Sequence, residues 1–255
     1  MMTLPELKRT AGREGVPQAV IEADYALSVA LDAVAESGFA GHLVFKGGTA
    51  IRKVYFGTAR FSEDLDFTVV GIGKDAVMRG LAEILAGRTI GGIAFGMLEE
   101  EETRAGLKVA IMFTGPLGHR QRIRFDFSFR ENLAGGPEQR ELIDAYGVGK
   151  RKITVMSIGE ILAEKIHALG SRAAPRDLYD VWFLLSNGVR PDPEMIRKKF
   201  AYYHERPDLV GIMRHIDHIR AGWKRDLERL LPRLPNYEEN AGKVKEALAA
   251  ILRET

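Results

Sequence analysis

Residues 45–67 read F-K-G-G-T-A-I-R-K-V-Y-F-G-T-A-R-F-S-E-D-L-D-F, and the Gly47-Gly48-Thr49 step inside them restricts the fold most. An apolar run, Leu43–Lys46, reads as a short strand ending on two glycines. A short helix over Thr49–Tyr55 and a second strand over Ser62–Val70 are predicted to follow. On an extended strand alternate side chains share a face, so Asp64 and Asp66 point the same way, about 6.6 Å apart along the chain. Leu65 lies between them and Phe67, Val69 and Val70 follow, so both sides of that strand read as partly buried. Carboxylates in such a place need a cation or hydrogen-bond donors.

The rest of the chain divides by pattern. A helix is predicted over Pro17–Ser37, with Gly38 at its stop, and another over Asp75–Ala86. Ile93–Glu99 and Leu107–Phe113 read as antiparallel strands, and the acidic run Glu99–Glu102 between them as a solvated hairpin end. Gln121–Phe129 alternates: Ile123, Phe125, Phe127 and Phe129 on one face, Arg122, Arg124, Asp126 and Ser128 on the other. Leu133–Arg151 reads as a connection; after Ile153–Met156 the pattern is helical to the end. Strands with helices first and helices last give an α+β fold class, with an α+β domain over residues 1–150 and a helical domain over 151–255.

Composition narrows the class. The 255 residues contain no cysteine, which excludes disulfides and thiolate metal sites and makes the cytoplasm the expected location. No apolar run is long enough to cross a bilayer, and the polar start, Met1–Gly15, does not read as a secretory signal. The net charge of +2 is uneven: acids are in excess before Lys150, Lys and Arg after it. That division suits metal in one half and a polyanion in the other, although mildly basic helical domains are common.

Several residues can carry chemistry. Asp64 and Asp66 read as Mg²⁺ ligands. Asp126 is a third candidate, with a salt bridge to Arg122 or Arg124 as its plain alternative. Three converging carboxylates would serve two Mg²⁺ ions, which can activate a hydroxyl and steady a leaving pyrophosphate. Lys46, Gly47, Gly48 and Thr49 form a phosphate candidate, because glycines let backbone N–H groups approach an anion; the alternative is a plain turn with Thr49 as N-cap. Arg52, Arg60 and Ser62 can add phosphate contacts. In the helix Ile158–Leu169, Lys165 lies on the apolar face and must either snorkel outward or meet an anion. In R-A-A-P-R-D-L-Y-D-V-W, Asp177 and Asp180 are one helical turn apart, readable as capping acids. Alternatively Arg172, Arg176 and Lys165 form a cationic wall around phosphate, with Asp180 as a positioning group. The six histidines show no zinc spacing, although His215 and His218 lie three apart on a helix. The basic residues around Trp223, from Arg214 to Arg233, read as a solvated helix face or an RNA contact.

Taken together, F-K-G-G-T-A-I-R-K-V-Y-F, R-F-S-E-D-L-D-F, E-K-I-H-A-L and R-D-L-Y-D, in that order, resemble the AbiEii/AbiGii-type toxin nucleotidyltransferases, which include the MenT-like toxins. The resemblance implies a DNA-polymerase-β-like nucleotidyltransferase core followed by a helical C-terminal part that completes the nucleotide site. It implies Mg²⁺ at Asp64 and Asp66, phosphate contacts from Gly47–Thr49, and essential roles for Lys165 and Asp180. It also implies the toxin of a toxin–antitoxin or abortive-infection pair, with an antitoxin as partner. Some family members add nucleotides to the tRNA 3′ end. The Gly-Gly-Thr turn and the long gap before D-x-D depart from minimal nucleotidyltransferases, which carry Gly-Ser and a shorter gap.

The resulting expectation is a Mg²⁺-dependent enzyme that moves NMP from an NTP to an RNA acceptor, the tRNA 3′ end foremost, without a membrane. Asp64 and Asp66 hold metal; the glycine turn and Lys165 hold triphosphate; Asp180 orients Lys165 or helps deprotonate the acceptor. The rivals are the same transfer to a protein or small-molecule hydroxyl, and a non-catalytic RNA- or protein-binding inhibitor.

Overall fold

The computed structural model describes residues 1–103, 106–130, 133–172 and 174–254. It divides into two compact units, Met1–Glu131 with Pro137–Met156, and Asn132–Gly136 with Ser157–Thr255.

The first unit is built on a sheet of β1 (Leu43–Lys46), β2 (Asp64–Val69), β3 (Thr89–Ile90), β4 (Ile93–Thr103), β5 (Gly106–Thr114), β6 (Arg120–Ser128), β7 (Glu138–Glu141) and β8 (Lys152–Val155). The spatial order is β3-β4-β5-β6-β2-β1-β8-β7. Pairing is antiparallel except for β1 with β8 and β2 with β6. The alternation along β2 and β6 puts Leu65, Phe67, Ile123, Phe125 and Phe127 on one fully buried face. Phe67 lies 5.2 Å from Phe45 and 5.6 Å from Phe127, ring centre to ring centre. Each buried phenyl contributes about 1.5–3 kcal/mol by leaving water. This aromatic row holds β1, β2 and β6 in register and leaves Asp64, Asp66 and Asp126 on the opposite face.

Helices α1 (Leu4–Glu14), α2 (Gln18–Glu36) and α4 (Lys74–Leu85) complete this unit with the short α3 (Gly47–Ala50). Helix α1 starts in a capping box, Thr3 with Glu6, and ends on left-handed Gly15. Helix α2 is buried on most sides, and two of its acids are fully inside. Glu22 accepts from the Leu117 N–H at 2.6 Å and from the Gln121 amide. Asp24 meets the Lys53 ammonium at 2.7 Å and the Tyr146 hydroxyl at 2.5 Å. Burial lowers the Lys53 pKa, and Asp24 opposes that shift.

Three expectations are corrected here. The helix after the glycines begins at Gly47 and continues as a π-helix over Ile51–Tyr55. Glu99–Glu102 is part of β4, not a hairpin end. Strand β3 has only two residues, so most of β4 is a sheet edge, where exposed acids are tolerated and discourage further pairing. The connection Leu133–Arg151 contains β7, whose E-Q-R-E sequence has no apolar alternation because it pairs only with β8 at the sheet margin.

The second unit contains α5 (Ile158–Ser171), α6 (Pro175–Ser186), α7 (Pro193–Tyr202), α8 (Leu209–Ile219), α9 (Trp223–Leu227) and α10 (Tyr237–Glu254). Helix α5 packs on α6, α7 and α8; α10 packs on α6 and α8. Fully buried Lys199 of α7 sits 2.5 Å from equally buried Glu160 of α5, which also accepts from the Ala134 and Gly135 N–H groups. Among the described residues, no helix is long and apolar enough to cross a membrane.

Candidate functional site

Asp66 is the centre of a register row. It stands opposite Lys46 of β1 on one side and Asp126 of β6 on the other. Asp64, two residues earlier, stands opposite Arg124. Asp64, Asp66, Lys46 and Gly47 are all half-buried.

The glycine turn is fitted to this row. Gly47 has φ +76°, and a Cβ built on it would collide with Asp66 Oδ2. A side chain is therefore excluded twice, by the left-handed backbone and by the carboxylate. Thr49 is fully buried, and its hydroxyl donates to the Asp64 backbone carbonyl. It is not an N-cap; Lys46 holds that position in α3, without a side-chain cap. Nor does its hydroxyl face outward for phosphate: it ties the turn to the acid strand. Arg52 is likewise turned inward. Its guanidinium lies 3.6 Å from the centre of the Phe61 ring, donates to the Ala59 carbonyl and stands 3.9 Å from Asp24. Arg60 is buried and donates to the Phe61 carbonyl at 3.1 Å. Ser62 is half-buried just ahead of β2.

Asp126 is brought beside Asp66, but its carboxylate lies 3.4 Å from Lys108 of β5 rather than pairing with Arg122 or Arg124. Among the described residues, no group of three or more His, Asp or Glu is arranged to hold a metal ion. Asp64 and Asp66 nevertheless fit Mg²⁺. They are hard oxygen donors on one face, and the missing Gly47 side chain gives Asp66 Oδ2 its place against the turn. Mg²⁺ is commonly bound by one or two carboxylates with substrate phosphates filling its shell.

In the second unit the predicted residues converge on α5 and α6. Lys165 is 8% exposed, and its ammonium lies 2.8 Å from Asp177 Oδ1 and 2.8 Å from Asp180 Oδ2. Arg172 adds two hydrogen bonds to Asp177, at 2.7 and 3.0 Å. Burial pushes the Asp177 carboxyl up, but Lys165 and Arg172 outweigh it and hold the group well below the usual carboxylate range. Asp177 is thus not the N-cap of α6, which is Ala174; it is a buried counter-ion inside the first turn. Arg176 is half-buried and lies near Asp226, whose pKa it helps lower.

Three basic residues of the stretch near Trp223 are paired with acids. Arg220 meets Glu238 at 2.6 Å, Arg225 meets Asp226 at 2.7 Å, and Lys224 meets Glu228 at 3.6 Å. The His215 ring faces the Gly170 carbonyl at 2.9 Å.

Sequence reasoning did not anticipate that Lys108 would engage Asp126, or that Asp177 would anchor both Lys165 and Arg172. The second had a visible signal: Asp177 is a polar residue between Pro175 and Leu178 at the start of an apolar helix.

The sequence model of the family described as nucleotidyl transferase AbiEii toxin, type IV toxin–antitoxin system, matches residues 29–253. A solved structure of MenT4, a nucleotidyltransferase toxin from Mycobacterium tuberculosis H37Rv, is similar to this chain with a TM-score of 0.75 and 22% identity. The similarity covers 99% of this chain and 90% of that one. No curated protein sequence matches.

Proposed function

The chain belongs to the AbiEii nucleotidyltransferase toxin family, and from that premise we propose that it moves NMP from an NTP to an RNA hydroxyl, foremost the tRNA 3′ end. Its place as the toxin of a type IV toxin–antitoxin system follows from the family; an antitoxin partner and a cytoplasmic setting belong to the proposal.

The observation that carries the reading is the fit between the Gly47 turn and Asp66, with Asp64 on the same face of β2. Asp64 and Asp66 would hold Mg²⁺, which when bound supplies positive charge against the triphosphate and the attacking hydroxyl. Asp126, already engaged by Lys108, is not required for an ion whose shell is completed by phosphate oxygens. Gly47 and Gly48 let the backbone approach the triphosphate, and half-buried Lys46 adds a cation at the end of β1. Thr49 acts indirectly, by fixing the turn to the Asp64 carbonyl. Lys165 is proposed as a further cation in the reaction. Asp180, 2.8 Å away, holds its ammonium in position.

Purified protein given each labelled NTP, total tRNA and Mg²⁺ should transfer label to tRNA. Replacing Asp64 and Asp66 together by Asn should lower transfer by about a thousandfold, the scale of losing a principal electrostatic element of a site. Absence of transfer with all four nucleotides, under Mg²⁺ and Mn²⁺, would overturn the reading.

A further inference from the structure

Strand β6 carries a second feature on the same face as the acids. Arg120, Arg122 and Arg124 alternate along it, and all three side chains are exposed. Their cross-strand neighbours on β5 are Thr114, Met112 and Ala110, none of which carries charge. Among the described residues, none of the three guanidinium groups makes an ion pair or a side-chain hydrogen bond. Arg124 has Asp64 opposite it on β2 and Asp126 two residues along β6, but among the described residues it pairs with neither.

The row has direction and reach. Arg124 stands opposite Asp64 on the neighbouring strand, so the row begins at the acid pair. Alternate positions on a strand are about 6.6 Å apart, so Arg120 lies about 13 Å further along. At that far end Met97, Met112, Thr114 and Arg120 border an open depression. A register shift between Phe95 and Leu98 leaves Met97 73% exposed beside it. On the β4 side the row is bounded by acids: Glu99 and Glu101 lie in the rows of Ala110 and Lys108. They are two strands from β6, about 10 Å away.

We propose that the β6 arginine row is the binding track for the RNA acceptor, holding successive phosphodiesters of a single strand so that its end lies at Asp64 and Asp66. This rests on the transferase reading given above, and deepens it by assigning where the polynucleotide lies. Three separately spaced guanidinium groups suit a chain of phosphates rather than one triphosphate, and each donates planar, paired hydrogen bonds. The depression at Met97 and Met112 takes an apolar base face, which a phosphate polymer alone does not offer.

The test is equilibrium binding of a short fluorescein-labelled single-stranded RNA, without NTP, across a salt series. Neutralising three phosphate contacts makes the log–log salt slope about 2 units less steep, since each contact to a single strand contributes about 0.7. Arg120→Gln with Arg122→Gln and Arg124→Gln should show that change and bind more weakly at low salt. Arg122→Gln alone should lose about 0.7 of the slope, which keeps the test open if the triple variant folds poorly. Lys224→Gln with Arg225→Gln should leave the slope unchanged. An unchanged slope in the arginine variants, no RNA binding by the native protein at low salt, or inorganic polyphosphate competing as well as RNA would each overturn the proposal. The readout is independent of turnover. A reduced slope in a protein that transfers nothing to RNA sinks the transferase reading alone; normal transfer with an unchanged slope sinks the track alone.

Discussion

The chain holds two acidic pairs in contrasting settings. Asp64 and Asp66 are half-buried on β2, behind a turn whose missing side chain leaves Asp66 room. Asp177 and Asp180 are 1% and 3% exposed in α6 and are already met by Lys165. The first pair has the exposure that an exchanging cation and substrate require. The second is part of a charge cluster in which the two carboxylates share the buried Lys165 ammonium, so removing one weakens its compensation. Identical residue types thus serve ligand binding in one place and positioning in the other, and burial separates the roles.

The largest effect on stability should come from the charge cluster. Asp177→Ala leaves Lys165 with Asp180 alone and Arg172 in solvent, so the loss should be about 3 kcal/mol, the low end for breaking a buried pair. Denaturant unfolding measures it. Asp66→Asn should move the same curve by less than about 1 kcal/mol, as half-exposed positions usually do; equal losses would erase the contrast. The cluster also predicts acid sensitivity. Because the Asp177 carboxyl is depressed in the folded state, its contribution is complete above the ordinary carboxylate pKa of about 3.9. It is lost as pH falls from there through the lower folded value. Asp177→Asn should flatten stability over that acidic window; an unaltered profile would remove Asp177 as the group responsible.

A smaller effect is expected at the turn. Gly47→Ala forces a side chain into left-handed backbone and against Asp66, a strain of about 1–3 kcal/mol. Transfer should fall further than stability, since the carboxylate must shift. Unfolding midpoints and initial rates measured on the same preparation sharpen the point: a stable variant with native rate would show that the turn does not shape the acid site.

Legibility followed local pattern. The strand of Asp64 and Asp66 and the alternation of Ile123, Phe125 and Phe127 were readable because a period of two is a direct consequence of strand geometry. The α+β class and the AbiEii family were readable from ordered motifs. Partners far apart in sequence were not. Nothing local marks that Asp24 would meet Lys53 and Tyr146, which the packing of α2 decides, or that Asp126 would meet Lys108, which strand order decides. Thr49 and Arg52 looked like phosphate donors because of their types, but burial gives both of them backbone carbonyls instead. T-L-P-E carries the capping box of helix α1, but the helix's polar composition masks its buried face of Leu7 and Ala11. β7 had no signal, since a marginal strand of charged residues has no face to bury.

The central claim is that Asp64 and Asp66 form a divalent-cation site beside the Gly47 turn. Calorimetric titration of Mg²⁺, in the presence of a non-hydrolysable NTP analogue, addresses it most directly. The native protein should bind the ion, and the Asp64→Asn, Asp66→Asn variant should lose that binding while keeping its unfolding midpoint. Equal Mg²⁺ affinity in the two proteins would contradict the account.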